Sequence, residues 1–343
     1  MGSFSGHVIP GSLILFLGLW NLRCSVISFL TSPRAFVARV WHPVPLPGHW
    51  ARLQLYAVVG GGFAYMVSEF VHLFMLSRVQ LNSYEHLSTN VAFVVAYSVL
   101  LVHASTKLLP FPRGTPQVIV AFPFTCAAVM FLFHSTAHHG PIEARYHLFI
   151  VPIAAATVLS LLLSAAFPTS FLLDILANVG VFLQGAWYWV TAAALYGYMQ
   201  PPHCRTSPTE PDYKLVCEGD KWDHLGISLV YVHFAFLFSA TVVALVGCYA
   251  LAAQSAPSSS IDFILDSDAV PDGSSPCGLF AGAAAAASAV VHPWTSKGFA
   301  AEGAEVDKSG GEAIAMAAAI LDVEGEEEAS LLGGKDHQVK ASV

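Results

Sequence analysis

The chain has 343 residues, of which 55% are hydrophobic and only 11% are charged. A soluble domain of this length does not need so apolar a composition, which therefore indicates a membrane protein. The formal net charge is −8, but most of the acidic residues lie beyond residue 255. Because the chain has no extended basic segment, nucleic acid is not an expected partner.

Apolar stretches of about 20 residues recur through the first three quarters of the chain, which is the length that crosses a bilayer as an α-helix. Connections rich in Pro and Gly, at 43–48 and 110–114, separate some of them. We therefore predict an all-α membrane protein whose first domain, residues 1–252, is a bundle of seven transmembrane helices embedded in the lipid bilayer. The predicted spans are 8–30, 53–76, 84–108, 116–138, 144–166, 170–198 and 225–252.

The second predicted region, residues 253–343, is a disordered acidic tail rich in Ala, Ser and Gly, with one helix near 312–323. Within it, Glu327 followed by Leu331 and Leu332 resembles an acidic dileucine sorting signal. This pattern predicts sorting adaptors as partners of the tail.

The distribution of Lys and Arg in short loops predicts the orientation in the membrane. The loop after the first span shares its face with the third-to-fourth loop and the tail, and this face carries the slight excess of basic residues near span ends. By the positive-inside rule, the N-terminus is expected outside and the tail in the cytosol. Cys204 and Cys217 share a loop on the non-cytosolic side, where a disulfide persists, although two free thiols are an equally good interpretation of the spacing.

Ionisable residues recur at one depth of the predicted bundle. Odd-numbered spans begin and even-numbered spans end at the N-terminal face, so residues from five spans fall in one layer on the order of 10 Å deep. Because ionisable groups in lipid cost about 2.5–3.5 kcal/mol each, such a layer marks a buried site. Its predicted members are Glu69, His72, His86, His134, His138, His147 and His233.

The spacing within this layer suits metal ligation. Glu69 and His72 are three residues apart and His134 and His138 four apart, so each pair shares a helix face. Imidazoles together with a carboxylate are typical ligands of a divalent metal such as zinc. Four further residues are expected to support these ligands or to form the wall of the site: Asn90, Gln184, Trp187 and Tyr188. A structural hydrogen-bond network and unrelated interfacial residues are the alternatives.

Several motifs in this order resemble the TMEM45 transmembrane family, known by its domain of unknown function number 716. They are the opening 4–12, Gly18-Leu19-Trp20, Glu69-Phe70, His86, Phe133-His134, Tyr146-His147, 183–189 and Val232-His233. The resemblance covers about residues 1–252, and the acidic tail, a plant-type extension in this interpretation, has no counterpart in it. It implies a seven-span protein of the endomembrane system or plasma membrane, without a well-established activity. The motifs of the resemblance fall on six residues that the depth of the layer also selects: Glu69, His86, His134, His147, Gln184 and His233.

Three functions follow from these observations. The first is a metal-binding membrane protein, with enzymatic activity left open. The second is a proton-linked transporter whose histidines titrate. The third is a structural or trafficking protein whose polar layer only stabilises the bundle, and assembly into homo-oligomers is compatible with all three.

Overall fold

The computed structural model describes residues 4–75, 81–106, 108–136, 140–209 and 212–268. Four of the predicted functional residues lie outside them, His138 and the sorting-signal residues Glu327, Leu331 and Leu332, as does the helix expected near 312–323. The described residues all belong to one compact unit, which extends to residue 270.

The described residues form nine α-helices and one two-stranded antiparallel sheet. In chain order these are α1 (Phe4–Thr31), α2 (Leu53–Met75), α3 (Leu81–Ser105), α4 (Thr115–Thr136), α5 (Pro141–Leu148), α6 (Ile150–Ala166), α7 (Phe171–Tyr196), β1 (Cys204–Thr209), β2 (Asp212–Cys217), α8 (Asp220–Ala253) and α9 (Ser258–Asp268). Short 3-10 helices at Pro33–Ala35 and Gly48–Arg52 interrupt the connection from α1 to α2.

Six helical segments in the described part of the chain are long and apolar enough to cross a membrane. They are Phe4–Thr31, Leu87–Ser105, Thr115–Thr136, Pro141–Ala166, Phe171–Tyr196 and Asp220–Ala253. The second predicted span corresponds to α2, which has 23 residues but is not among the six. Gln54, Glu69 and the glycines at 60–62 lower its mean hydropathy, and the side chains of its last residues, from 72 onward, are not among those described. The chain is therefore a multi-pass helical membrane protein. Length and hydropathy identify six candidate spans in the described part of the chain.

The outer surface of the bundle is strongly apolar, as a lipid environment requires. On α8, Phe236 is 73% exposed and Val243 is 72% exposed. Large apolar side chains are also exposed on the other long helices, including Phe16 on α1 and Phe122 on α4. Contiguous apolar surface on this scale is not stable in water and is buried when it faces acyl chains.

The predicted span 144–166 consists of two helices, with a break at Phe149. Pro152 explains the break, because proline has no N–H for the carbonyl of Leu148 and its ring crowds that carbonyl. Pro141 begins α5 at a first-turn position, where its missing N–H costs nothing. The result is a short helix, α5, that carries His147 near its end.

Two structured segments differ from the sequence expectations. A hairpin of β1 and β2 occupies the loop between α7 and α8, in a fold predicted to be entirely α-helical. Cys204 and Cys217 are paired across this hairpin and joined by a disulfide. Residues 258–268, assigned to the disordered tail, form α9, whose Ile261 and Ile264 pack near Leu30 of α1.

Close packing of α1 against α7 determines the arrangement of the bundle. A Cβ atom added at Gly18 would lie 2.5 Å from the backbone nitrogen of Phe182, and one at Gly11 would lie 2.7 Å from Cβ of Tyr188. A Cβ atom at Gly185 would collide with the backbone of Leu15. These contacts are possible only with glycine, which lets helix backbones approach closely in membranes.

We predict that Gly18→Ala destabilises the protein because its methyl group meets backbone atoms of α7, which cannot rotate away. The expected cost is about 1–3 kcal/mol, as for other overpacked positions. Gly60→Ala is the matched control, because a Cβ atom at Gly60 has nothing within 4 Å. The midpoint of thermal unfolding in detergent should fall for Gly18→Ala only. Equal midpoints for the two variants would contradict the close approach of the helices.

A polar network fixes the connection from α1 to α2 at the opposite end of the bundle from the N-terminus. The backbone N–H of His42 donates to Oε1 of Gln54 at 2.7 Å, and Nε2 of Gln54 donates to Oδ1 of Asn21 at 2.8 Å. The Asn21 amide in turn donates to the carbonyl of Val40. His42 itself is only 7% exposed. Burial lowers the pKa of His42 to about 4, and the positive charge of Arg39 contributes to the shift.

This pKa predicts a loss of stability in mild acid. The pKa of His42 is lower in the folded state than in the unfolded state, so the unfolded state binds more protons between pH 6.5 and pH 4. The contribution of neutral His42 to the free energy of unfolding is fully present above pH 6.5. The free energy of unfolding should therefore fall by about 2 kcal/mol between pH 7 and pH 5. His42→Gln should remove that part of the pH dependence of the unfolding midpoint, whereas His49→Gln, at an exposed position, should not. The same pH dependence in wild type and His42→Gln would refute this prediction.

Candidate functional site: a buried histidine cluster

Three histidines from three helices meet near the N-terminal end of α1. His7 on α1, His134 on α4 and His147 on α5 are 5%, 3% and 2% exposed, and we call them the histidine cluster. The Nε2 atoms of His7 and His147 are 3.2 Å apart, and the rings of His134 and His147 have centroids 4.7 Å apart. Residues separated by 140 positions in the chain are thus in direct contact.

The packing of the surrounding helices places each imidazole. The glycine contacts between α1 and α7 bring His7 beside Tyr188, with ring centroids 6.4 Å apart. Trp187, one residue earlier on α7, donates its indole N–H to the carbonyl of Tyr146 at 2.8 Å and so holds α5 in place. His147, the next residue, consequently faces the interior.

Aromatic side chains enclose the cluster. The ring of Phe131 stacks on His147 with a centroid separation of 5.8 Å, and Tyr196 lies 5.5 Å from the ring of His7. The hydroxyl of Tyr196 donates to Oε1 of Glu143, which is 4% exposed. The hairpin also contributes, because Leu215 packs into the same apolar core. The site is therefore shielded from water, which strengthens electrostatic interactions within it.

The contact between His7 and His147 has a direct chemical consequence. At 3.2 Å, one Nε2 atom donates its proton and the other accepts it, so the pair holds one proton between two basic nitrogens. A further proton would convert one ring to an imidazolium and break this arrangement. The pair can therefore exchange a proton or bind a hydrogen-bonding ligand.

Glu69 reaches the same end of the bundle from α2. Its side chain is completely buried, and it interacts with Tyr65 one turn earlier on the helix. The Tyr65 hydroxyl also donates to the carbonyl of Gly6, next to His7, at 3.2 Å. Tyr65 lies within electrostatic range of Tyr188 as well. The buried carboxylate thus belongs to the polar surroundings of the cluster.

The predicted ligand set is brought together only in part. Of its members, His134 and His147 lie in the cluster, whereas Nδ1 of His233 lies 2.7 Å from the hydroxyl of Tyr146 and is engaged there. His72 lies in α2 and His86 in α3, but the structure does not describe their side chains. Among the residues whose side chains are described, no group of three or more His, Cys, Asp or Glu is arranged to hold a metal ion. The metal centre expected from the sequence is thus not supported by this part of the chain.

The predicted supporting residues lie close to the cluster. Gln184 and Trp187 are completely buried on α7, and Tyr188 contacts both His7 and Phe131. Asn90 on α3 has a buried amide nitrogen with no hydrogen-bond partner in the described part of the chain. These four residues remain candidates for contacts to a ligand.

Comparison with known families adds one finding. Residues 113–250 match the family model described as "Family of unknown function (DUF716)". The match supports the predicted resemblance to the domain of unknown function 716. It includes His134, His147, Gln184 and His233. It begins after α1, α2 and α3, so it does not cover His7 or Glu69.

Several residues of the site are not among the functional residues predicted from the sequence. His7 lies just before the predicted span 8–30, at the border of the predicted layer, and is not in the predicted ligand set, whereas α1 begins at Phe4 and buries it. Glu143, Tyr146 and Tyr196 were also missed, although Glu143 follows Pro141 at the start of a helix. Depth alone thus placed His7 beside the layer, but the predicted start of the first span left it outside the bundle. Nothing in the spacing indicates which tyrosines point inward.

A cavity of about 80 Å³ extends from the cluster between α1, α2 and α3. Near the cluster its lining is polar and includes His7, Tyr65, Thr89 and Asn90. Farther along the same helices the lining becomes apolar and includes Leu13, Ile14, Leu17, Val58 and Phe93. No Lys, Arg, Asp or Glu is among the described residues that line it. The cavity is thus amphipathic, with its polar end at the histidine cluster.

Proposed function

We propose that this protein binds an uncharged amphipathic lipid, with the headgroup at the histidine cluster and the apolar chain between α1 and α2. The observation that carries the proposal is the cavity, which is polar beside His7 and apolar beside Leu17 and Val58. An apolar pocket with a few polar groups is typical of sites for amphipathic ligands. Because the cavity holds only about 80 Å³, it would enclose the headgroup and the first part of the chain, and the rest of the lipid would lie in the bilayer.

The polar groups define the class of headgroup. Tyr65, Thr89 and Asn90 offer hydroxyl and carboxamide groups, which form hydrogen bonds with hydroxyl, ester or amide groups of a ligand. A phosphate headgroup would instead favour Arg or Lys, which are absent from the described lining. A diacylglycerol or a long-chain amide has the required chemistry.

Proton transfer is the chemistry that the adjacent groups support. The His7–His147 pair holds a single proton in a buried environment, and Glu69 and Tyr188 lie at the same depth. A headgroup hydroxyl at the polar end of the cavity would meet His7 directly. We therefore propose that His7 contacts the headgroup and that His147 sets its protonation state.

Photocrosslinking of the full chain in phosphatidylcholine nanodiscs tests the lipid proposal. A photoactivatable diacylglycerol should label α1, and photoactivatable phosphatidylserine should label it much less. Leu13→Trp fills the cavity, and Asn90→Leu removes a headgroup hydrogen bond, so each should reduce labelling by about tenfold.

Leu19→Trp is the control, because Leu19 is 49% exposed on α1 and does not line the cavity. It should leave labelling unchanged. Labelling that is the same for both lipids, or for wild type and Leu13→Trp, would be inconsistent with a specific lipid site.

Binding of a divalent metal such as zinc is a second candidate, favoured by one observation. The separation of 3.2 Å between the Nε2 atoms of His7 and His147 is close to that of two nitrogens on one tetrahedral zinc ion, about 3.3 Å from ordinary bond lengths. Additional ligands would have to come from His134 or from the histidines whose side chains are not described. A bound metal would act as a Lewis acid toward a headgroup oxygen.

Elemental analysis of the purified full chain tests this candidate. We expect stoichiometric zinc in wild type and in His49→Ala, which alters an exposed histidine, and loss of the metal in His147→Ala. Preparations that fold normally but contain no stoichiometric metal would eliminate the metal and leave the lipid proposal standing.

The topology completes the proposal. We infer seven spans because α2 connects the two ends of the bundle. It begins beside Arg52, whose side chain donates to the carbonyl of Ala104. At the other end, the hydroxyl of Tyr65 on α2 donates to the carbonyl of Gly6. The N-terminus and the hairpin are then on the non-cytosolic side, where the disulfide of Cys204 and Cys217 is stable. Location in endomembranes or the plasma membrane, the TMEM45 relationship and recruitment of sorting adaptors by the tail remain parts of this proposal.

A further inference from the structure

A second cavity, of about 360 Å³, lies at the end of the bundle opposite the histidine cluster. The connection after α1, the connection from α3 to α4 and the first turn of α4 form its walls. We call it the arginine cavity and define it by six of its lining residues: Arg39, Trp41, His103, Phe111, Arg113 and Gln117. Because these helices end or begin here, the cavity lies at the level where lipid headgroups meet water.

The charge of the arginine cavity is positive. Arg39 and Arg113 both line it, and no described Asp or Glu does. Neither guanidinium forms an ion pair with a carboxylate in the described part of the chain. Asp174 interacts with the backbone N–H of Arg39. Two guanidinium groups are therefore available to a ligand.

The start of α4 adds to this positive character. Gly114 has a φ of 86°, which turns the chain sharply into the helix at Thr115. The N–H groups of Thr115 and Val118 already donate to the carbonyls of Pro112 and Gly114, and Pro116 has no N–H. The helix therefore contributes mainly the partial positive charge of its N-terminal end, which favours an anion. The end of α4 that lines the cavity is therefore the end that attracts negative groups.

Gln117 provides a separate indication that a ligand also donates a hydrogen bond. Its side chain is 5% exposed, and its Nε2 donates to the carbonyl of Ala38 at 3.0 Å. That bond fixes the orientation of the carboxamide, and its Oε1 is buried without a partner among the described residues. A buried acceptor without a hydrogen bond is destabilising, and a ligand hydroxyl would supply the missing bond.

The remaining walls are flat and rigid. The ring of His103 stacks on Phe111 with centroids 4.8 Å apart, and its Nδ1 lies 2.6 Å from the carbonyl of Leu109, to which it donates. This bond leaves Nε2 of His103 for a ligand. Trp41 adds an indole ring. Planar walls of this kind suit the face of a compact ring.

We infer that the arginine cavity binds a phosphate monoester that also carries free hydroxyl groups, the chemistry of an inositol phosphate. Arg39 and Arg113 would bind the phosphate, since guanidinium groups pair with phosphate oxygens through two parallel hydrogen bonds. Oε1 of Gln117 would accept from a ring hydroxyl. This site is separate from the proposed lipid site and does not depend on it.

Calorimetric titration of the full chain in phosphatidylcholine nanodiscs tests this inference. The probes are dioctanoyl phosphatidylinositol 4-phosphate, free inositol 1,4-bisphosphate, inorganic phosphate and dioctanoyl phosphatidylserine. The two inositol probes should bind more tightly than inorganic phosphate and phosphatidylserine. Arg39→Gln and Arg113→Gln should each weaken their binding by about tenfold, as expected for loss of a charged hydrogen bond.

Arg205→Gln is the matched control, because Arg205 is exposed on the hairpin at the other end of the bundle. It should leave binding unchanged. Tighter binding of the short-chain lipid than of the free headgroup identifies a membrane phosphoinositide as the source, and equal binding identifies a soluble inositol phosphate. The inference is overturned if phosphatidylserine binds as tightly as the inositol probes, or if both arginine variants bind like wild type.

Discussion

The contact between α1 and α7 is the constraint on which the candidate site depends. Gly11 and Gly18 on α1 and Gly185 on α7 allow the two backbones to approach so closely that a single methyl group would not fit. In lipid no hydrophobic effect drives helices together, so close packing of this kind supplies much of the association. It also sets the rotation of α1, and that rotation turns His7 inward toward His147 rather than outward toward acyl chains.

The two ends of the bundle differ in their chemistry. At the end that holds the histidine cluster, the described cavity is lined by imidazole, phenol, hydroxyl and carboxamide groups without a fixed charge. At the other end, two guanidinium groups line a wider cavity. A membrane separates such environments naturally, because neutral polar groups can remain buried within a bundle while arginines are stable where headgroups and water are present. The same protein could thus contact a lipid within the bilayer and a phosphate at its surface.

The depth of the polar residues could be predicted from the sequence, but their neighbours could not. Chain direction and a rise of 1.5 Å per residue were sufficient to place His134 and His147 at one level. Whether two residues at one level touch depends on the rotation of each helix about its axis, which only packing determines. His233, for example, contacts Tyr146 instead of joining the histidine cluster. The break at Phe149 can be explained from the sequence by Pro152. The hairpin of β1 and β2 instead depends on tertiary interactions, the disulfide and the packing of Leu215.

Helix α2 is not among the six described segments that are long and apolar enough to cross a membrane. Its polar and small residues have specific roles inside the protein. Gln54 bonds Asn21 and the backbone of His42, Gly62 lines the cavity, and Glu69 is completely buried near the cluster. Each of these residues lowers the mean hydropathy of the helix. Each of them faces a polar network or a cavity rather than lipid. In a protein with an internal site, a helix that contributes to that site is expected to carry polar residues of this kind.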